Sequence, residues 1–459
     1  MSVDPNGVSE TYASDLEISF FFFACTGDLA PCPAIRPVSA WRFTYAGALA
    51  DLLVPPYDII SPAEQTAYYA RHPDNLIRVE LGQERPDDDE RTNRYTRAAA
   101  ALDDWRTRGI VQRDPVPTIY VYQQIFSLPG QSGRIVRTGV FGRLRLGPWG
   151  QGILPHEKTF PGAKADRLAL LQATAVQTGA IFTLFRDPAG EVMTALRATT
   201  AALPAAALMG DDGMEHRLWR LEDPALIARL ADTLHERTLY VADGHHRYET
   251  ALNYQRQRGD GGGEQPWDFV LTYAAPLEDP GVRIMAAHRC LHDAPGLWSE
   301  DVLRVVQGGF DLQRFAEVDS LHAALGQAAP GAGCFGLLLP GMSGGWLLRP
   351  QPQLVLPADL PAELADLDVT RLQEWVLRPL LRHITDDLAD KRFLAYEPNL
   401  GRVVDAVNQG PYQAAFLLNP TGLHQLCAAA DAGQVMPQKA TYFYPKLISG
   451  IVMYDVAAL

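Results

Sequence analysis

The run Thr238-Leu239-Tyr240-Val241-Ala242 is apolar and rich in strand-forming residues, and at Asp243-Gly244-His245-His246-Arg247 it switches to helical spacing through Tyr248, Leu252 and Gln255. A strand that passes straight into a helix commits this part of the chain to a layered α/β arrangement. The turn between them has its own chemistry. Asp243 is expected to cap the helix, Gly244 lets the backbone approach a ligand, and the first free amides point outward beside Arg247. A helix start with partial positive charge and a neighbouring guanidinium fork favours a polyphosphate. The rival reading is an ordinary N-cap followed by a surface His-His-Arg; the crowding of two histidines and an arginine into one turn favours the functional one. A metal site made of Asp243, His245 or His246, and His288 matches no standard ligand spacing.

A chain of 459 residues exceeds one ordinary core, so two or three packed units are expected. Residues 1–34 read as a poorly integrated extension, in which the apolar cluster at 18–25 is too short for a membrane span and lacks a basic flank. An N-terminal α/β domain is expected over 35–148. In it, Ser61-Pro62-Ala63-Glu64 opens a helix with a capping box, a second helix covers 94–108, and two alternating runs around Gly130 and Gly133 form a hairpin. The nucleotide-binding core is placed at 149–300, with helices at 166–178 and 223–234 and strands at 180–185, 269–275 and 282–286. The region 301–459 should complete the substrate side, with an amphipathic helix at 369–381, a strand at 414–418 and a helix at 423–432.

The formal charge of -14 repels a phosphate backbone and no long basic run offsets it, so no nucleic-acid partner is expected. Five scattered cysteines without a CxxC pair suit a reducing cytoplasm rather than a disulfide framework or a zinc knuckle. No membrane association is expected.

Two further constellations carry charge in a suggestive pattern. Pro155-His156-Glu157-Lys158-Thr159, followed by Lys164, Asp166 and Arg167, places a carboxylate beside basic groups, where it stays ionised and can take a proton from a bound hydroxyl. The alternative is a solvated charged loop. Met436-Pro437-Gln438-Lys439-Ala440-Thr441, continuing to Lys446, sets two lysines among aromatics, either to bind an anion or to pack across an edge strand with their heads in water. Tyr57-Asp58 and His288-Arg289 are weaker signals, equally suited to turn and core packing.

The PPYD turn at 55–58, the HEKT segment at 156–159, the DGHHR turn and the late MPxKxT stretch, in that order, resemble the bacterial family catalogued as domain of unknown function 1015, over nearly everything from Ile35 onward. More distantly, DGHHR followed by an aromatic residue looks like the nucleotide-binding turn of the ParB/sulfiredoxin fold, especially that of archaeal free-serine kinases. These also carry an upstream Pro-His-Glu and a late Pro-Lys-x-Thr. The resemblance implies a ParB/sulfiredoxin-like core flanked by N- and C-terminal α/β regions. It implies Glu157 as general base, Asp243 as partner of the reacting phosphate or its Mg²⁺, and Gly244, His245, His246 and Arg247 as the phosphate cradle. His156, Lys439 and Thr441 would lie on the substrate side.

Three departures matter. Tyr442-Phe443 follow the late motif where the kinases have Arg-His, so the substrate clamp differs. An insertion over about 189–234 separates Glu157 from Asp243 and is placed to reshape or cover the pocket. His245 stands where sulfiredoxin has its cysteine, which argues against sulfinic-acid reduction. The expected activity is phosphoryl transfer from ATP or ADP, with Mg²⁺, to the hydroxyl of a small polar metabolite. The rivals are a nucleotide-sensing regulator and a slow nucleoside-triphosphate hydrolase.

Overall fold

The computed structural model describes residues 35–457 apart from 46, 48, 158, 160, 236, 260 and 386–391. The expected extension at 1–34 and Lys158 therefore lie outside the described residues.

A mixed nine-stranded sheet organises the first two thirds of the chain. Its order runs Ile153–Leu154, Leu239–Asp243, Ile181–Phe185, Phe269–Pro276, Arg134–Arg145, Tyr120–Ser127, Glu215–Arg220, Ala206–Met209, with Ile35–Arg36 added alongside Arg134–Arg145. Strands from 35–148 and 149–300 thus share one sheet. The pairs of Leu239–Asp243 with Ile153–Leu154 and of Phe269–Pro276 with Ile181–Phe185 are parallel, and the others antiparallel. Every residue of Ile181–Phe185 and Phe269–Pro276 is buried, as a central strand covered on both faces requires. The two faces enter separate cores: Tyr240, Phe182 and Tyr273 pack on one side, their neighbours Val241, Ile181 and Ala274 on the other.

The hairpin Tyr120–Ser127/Arg134–Arg145 and the helix Pro62–Arg71 form as their local signals predict. In the latter, Ser61 Oγ accepts from the Glu64 amide and Glu64 Oε2 accepts from the Ser61 amide at 2.7 Å. The helix expected at 166–178 spans Pro161–Thr174, because Ala175 takes a left-handed backbone (φ 53°) and Val176–Gln177 turns into a strand. The single helix expected at 369–381 is interrupted. Asp368–Leu372 passes through a π-helical turn at Gln373–Leu377 into Arg378–Leu381, and Pro379, which has no amide hydrogen to donate, supplies the reason.

A second, antiparallel sheet of six strands occupies the later part of the chain, with His288–Leu291 between Ala414–Leu417 and Leu394–Glu397. From it the chain returns to segments that lie outside the nine-stranded sheet. Met436 bridges Glu157, Tyr442–Tyr444 pairs with Arg283–Met285, Ser449 bridges Val54, and Tyr454–Asp455 pairs with Val176–Gln177. The insertion at 189–234 forms the helix Glu191–Thr200 and the hairpin Ala206–Met209/Glu215–Arg220, which extends the edge of the nine-stranded sheet. Among the described residues no helix is long and apolar enough to cross a membrane.

Candidate functional site

A cleft of about 1230 Å³ gathers the motifs that the sequence scatters over 390 positions: Tyr57 and Asp58, Glu157, His246, Lys439 and Lys446 all line it. One wall comes from the insertion, whose hairpin tip contributes Gly210, Asp211, Asp212 and Met214. Arg71 of the helix Pro62–Arg71 forms an ion pair with Asp211, tying that tip across the cleft.

The strand-to-helix turn differs from expectation at its first residue. Asp243 ends the strand and does not cap the helix; the N-cap is Gly244, with φ 91° and no side-chain cap bond. The register irregularity between Val241 and Asp243 turns the carboxylate out of the ladder. There Oδ1 pairs with Lys446 Nζ and Oδ2 with Arg247 Nη2 at 2.7 Å. Burial opposes ionisation of Asp243, but Lys446 and Arg247 outweigh it and hold the carboxyl well below the usual range. Lys446 responds in kind: burial alone would push its ammonium down, and Asp243 and Asp58 raise it instead. Arg247 also donates Nη1 to the Ala180 carbonyl, and its guanidinium folds so closely over Gly244 that a Cβ there would lie 3.1 Å from Nε and Nη2. Gly244 is therefore required twice, by its backbone angle and by its neighbour.

His156, His245 and Thr441 sit beneath the cleft surface, at 1%, 5% and 7% exposure. They do not line it, contrary to the roles expected for them at phosphate and substrate. His156 Nδ1 faces the Val241 carbonyl at 2.7 Å, so it carries the proton, and Nε2 accepts from the Thr441 hydroxyl at 2.8 Å. The His156 amide donates to His245 Nε2 at 3.2 Å, and the rings meet edge to face. Burial lowers both imidazoles, so this network is neutral and positions the chain. His246, half-buried, reaches the cleft, and burial lowers it too.

Glu157 Oε1 accepts the Lys439 amide at 3.3 Å, and Met436 donates its amide to the His156 carbonyl at 3.0 Å. Lys439 has a left-handed backbone (φ 52°), unusual for a residue with a side chain. That bend turns its amide onto the carboxylate. Of the charged residues after Glu157, Lys164 pairs with Glu249 at 2.8 Å, Asp166 with Arg94 at 2.7 Å and Arg167 with Asp166 at 2.6 Å. These stabilise packing between helices and take no place in the cleft lining. Tyr57 is fixed from two sides: its amide donates to Glu80 Oε1 at 3.2 Å and the Arg167 guanidinium lies 4.0 Å over its ring. Burial pushes its phenol up to about 12.

The motif resemblance implies Asp243 as a partner of a phosphate or of Mg²⁺. With each of its oxygens taken by a cation, it is an anchor for Lys446 and Arg247 and does not fit the part of a primary metal ligand. Among the described residues no group of three or more His, Cys, Asp or Glu side chains is arranged to hold a metal ion. The pairing of Lys446 with Asp243, the cleft position of Asp58 and the acidic hairpin tip were beyond sequence reasoning, since each depends on contacts between distant segments.

Residues 35–370 match the family described as Protein of unknown function (DUF1015). No curated protein matches the chain. Among solved structures, a free serine kinase in complex with AMP is similar at 12% identity, covering 70% of this chain and 91% of that one, with a TM-score of 0.35. A conserved hypothetical protein from Pyrococcus furiosus is similar at 13% identity, covering 70% and 95%, with a TM-score of 0.35. SbnI with a C-terminal truncation, from Staphylococcus aureus, is similar at 9% identity, covering 68% and 87%, with a TM-score of 0.32.

Proposed function

The chain belongs to the family described as Protein of unknown function (DUF1015), and for this member we propose a nucleotide-dependent phosphotransferase that moves a phosphoryl group from ATP or ADP to the hydroxyl of a small polar metabolite. The observation that carries the reading is Glu157. One of its oxygens is steadied by the Lys439 amide, and the residue borders a cleft that also presents Lys439, Lys446 and His246. A carboxylate so placed takes the acceptor proton as the acceptor oxygen bonds to phosphorus. The bond from phosphorus to the nucleotide's bridging oxygen breaks, and the nucleotide leaves with that electron pair. Lys439 and the Asp243-anchored Lys446 offset the charge, so that catalysis is mainly positioning and neutralisation.

The order of Pro155-His156-Glu157, the DGHHR turn and Lys439-Ala440-Thr441 supports the same reading, through its resemblance to the motifs of free-serine kinases. Mg²⁺ in such a reaction draws most of its ligands from phosphates and water, and the exposed cleft carboxylate Asp58 would supply the protein ligand in place of Asp243.

The test is a matrix of nucleotides against pooled hydroxylated metabolites, read by mass spectrometry for a gain of one phosphate. A phosphorylated product from the wild type and none from Glu157→Gln supports the assignment. Nucleotide binding with no product from any pool makes the protein a nucleotide-responsive regulator instead, and phosphate release without an acceptor makes it a hydrolase.

A further inference from the structure

Of the three arginines buried among the described residues, Arg167 pairs with Asp166, while Arg137 at 0% and Arg289 at 4% exposure form no ion pair. Burial lowers both, so each charge sits at a cost. Each donates to main-chain carbonyls on one stretch of chain, 438–445. Arg289 Nη2 donates to the Gln438 and Lys439 carbonyls, both at 3.1 Å, while its Nη1 is held by the Ala287 carbonyl and its guanidinium lies 4.6 Å over the Tyr396 ring. Arg137 Nη2 donates to the Pro445 carbonyl at 2.6 Å and to Gln124 Oε1, and Nη1 to the Tyr444 carbonyl at 3.4 Å. Gln124 completes the set by donating to the Lys446 carbonyl at 2.9 Å.

The stretch so gripped is the one that carries both cleft lysines. We propose that Arg137 and Arg289 are positioning residues, a pair of carbonyl clamps that hold residues 438–446 so that Lys439 and Lys446 stand ready in the cleft before any anion arrives. A charged donor is used because a guanidinium reaches two carbonyls at once, and its hydrogen bonds are stronger than those of a neutral amide. Arg289 sets the bend at Lys439 whose amide meets Glu157; Arg137 sets the end at which Lys446 meets Asp243. The inference rests on the cleft described above as an anion site, and it assigns these two residues no contact with substrate.

Arg289→Lys and Arg137→Lys test it in the full-length protein, with Gln124→Met as a milder variant should either fail to fold. Hydrogen exchange read by mass spectrometry should show residues 436–446 exchanging at least about tenfold faster, with the strands of the nine-stranded sheet unchanged. Calorimetric affinity for inorganic tripolyphosphate should fall about tenfold, the worth of one charged hydrogen bond. Unchanged protection over 436–446, or a loss spread evenly over the chain, overturns the proposal by reducing both arginines to general stabilisers. Local loosening in a protein whose wild type ignores tripolyphosphate leaves the clamps standing and removes the phosphotransfer reading.

Discussion

The main-chain amide of His156 donates to Nε2 of His245 at 3.2 Å, which joins the Pro-His-Glu segment to the DGHHR turn across 89 positions of sequence. His156 in turn needs its own Nε2 as an acceptor for Thr441, so both rings serve only while neutral.

That requirement gives a pH dependence. Both imidazoles are held below their unfolded value of about 6.5 by burial, so the unfolded chain binds more protons at lower pH. Their contribution is complete above about pH 6.5 and is lost as pH falls toward the folded values, at about 1.4 kcal/mol per pH unit for each proton taken up. His245→Gln keeps an acceptor near the His156 amide but cannot be protonated, and should flatten the slope of unfolding free energy against pH below 6.5 by about one proton. Denaturant titrations from pH 4 to 8 measure it; an unaltered slope refutes the neutral network.

Glu157→Gln should lower turnover by on the order of 10²–10⁴-fold and leave nucleotide affinity within a factor of about two, since the amide still accepts from Lys439 but takes no proton. Single-turnover kinetics beside equilibrium binding separate the two effects.

Lys439→Gly should stabilise the fold by up to about 1 kcal/mol through relief of the left-handed backbone, while weakening the anion affinity that its ammonium supplies. Lys439→Ala should lose the affinity without the gain in stability. A melting curve and a tripolyphosphate titration on both variants decide it.

Asp243→Asn and Lys446→Met each strand a partner in a low-dielectric setting and should cost about 3–5 kcal/mol, whereas the double variant should cost less than the sum. Because Asp243 is held well below the ordinary carboxylate range, its contribution is intact above about pH 4 and fades at lower pH. The gap between wild type and Asp243→Asn should therefore close under acid. Chemical denaturation at two pH values tests both statements.

The Arg71–Asp211 pair is exposed on its aspartate side and should add no more than about 1 kcal/mol to stability. Asp211→Ala should instead release the hairpin tip, raising the KM for the acceptor and the rate of proteolysis at 210–214. Limited proteolysis with and without ligand reads the latter directly.

Features set by neighbours in the chain were legible beforehand. The Ser61 and Glu64 capping box and the hairpin at 120–145 arise from bonds between segments that are close in sequence. The cleft was legible only as a set of motifs. That Glu157, His246 and Lys439 belong together was implied by the motif resemblance, whereas the burial of His156, His245 and Thr441 was not, because a histidine read in sequence has no partner.

The order of strand, turn and helix around Gly244, and the residue types able to handle a phosphate, are written in the sequence itself, because local backbone sterics and hydrogen bonding decide them. Which carboxylate pairs with cations was decided by tertiary structure alone. Asp243 is neutralised by Lys446, brought from 203 positions away, while Glu157 accepts the Lys439 backbone amide, and no local rule specifies where a distant cation comes to rest.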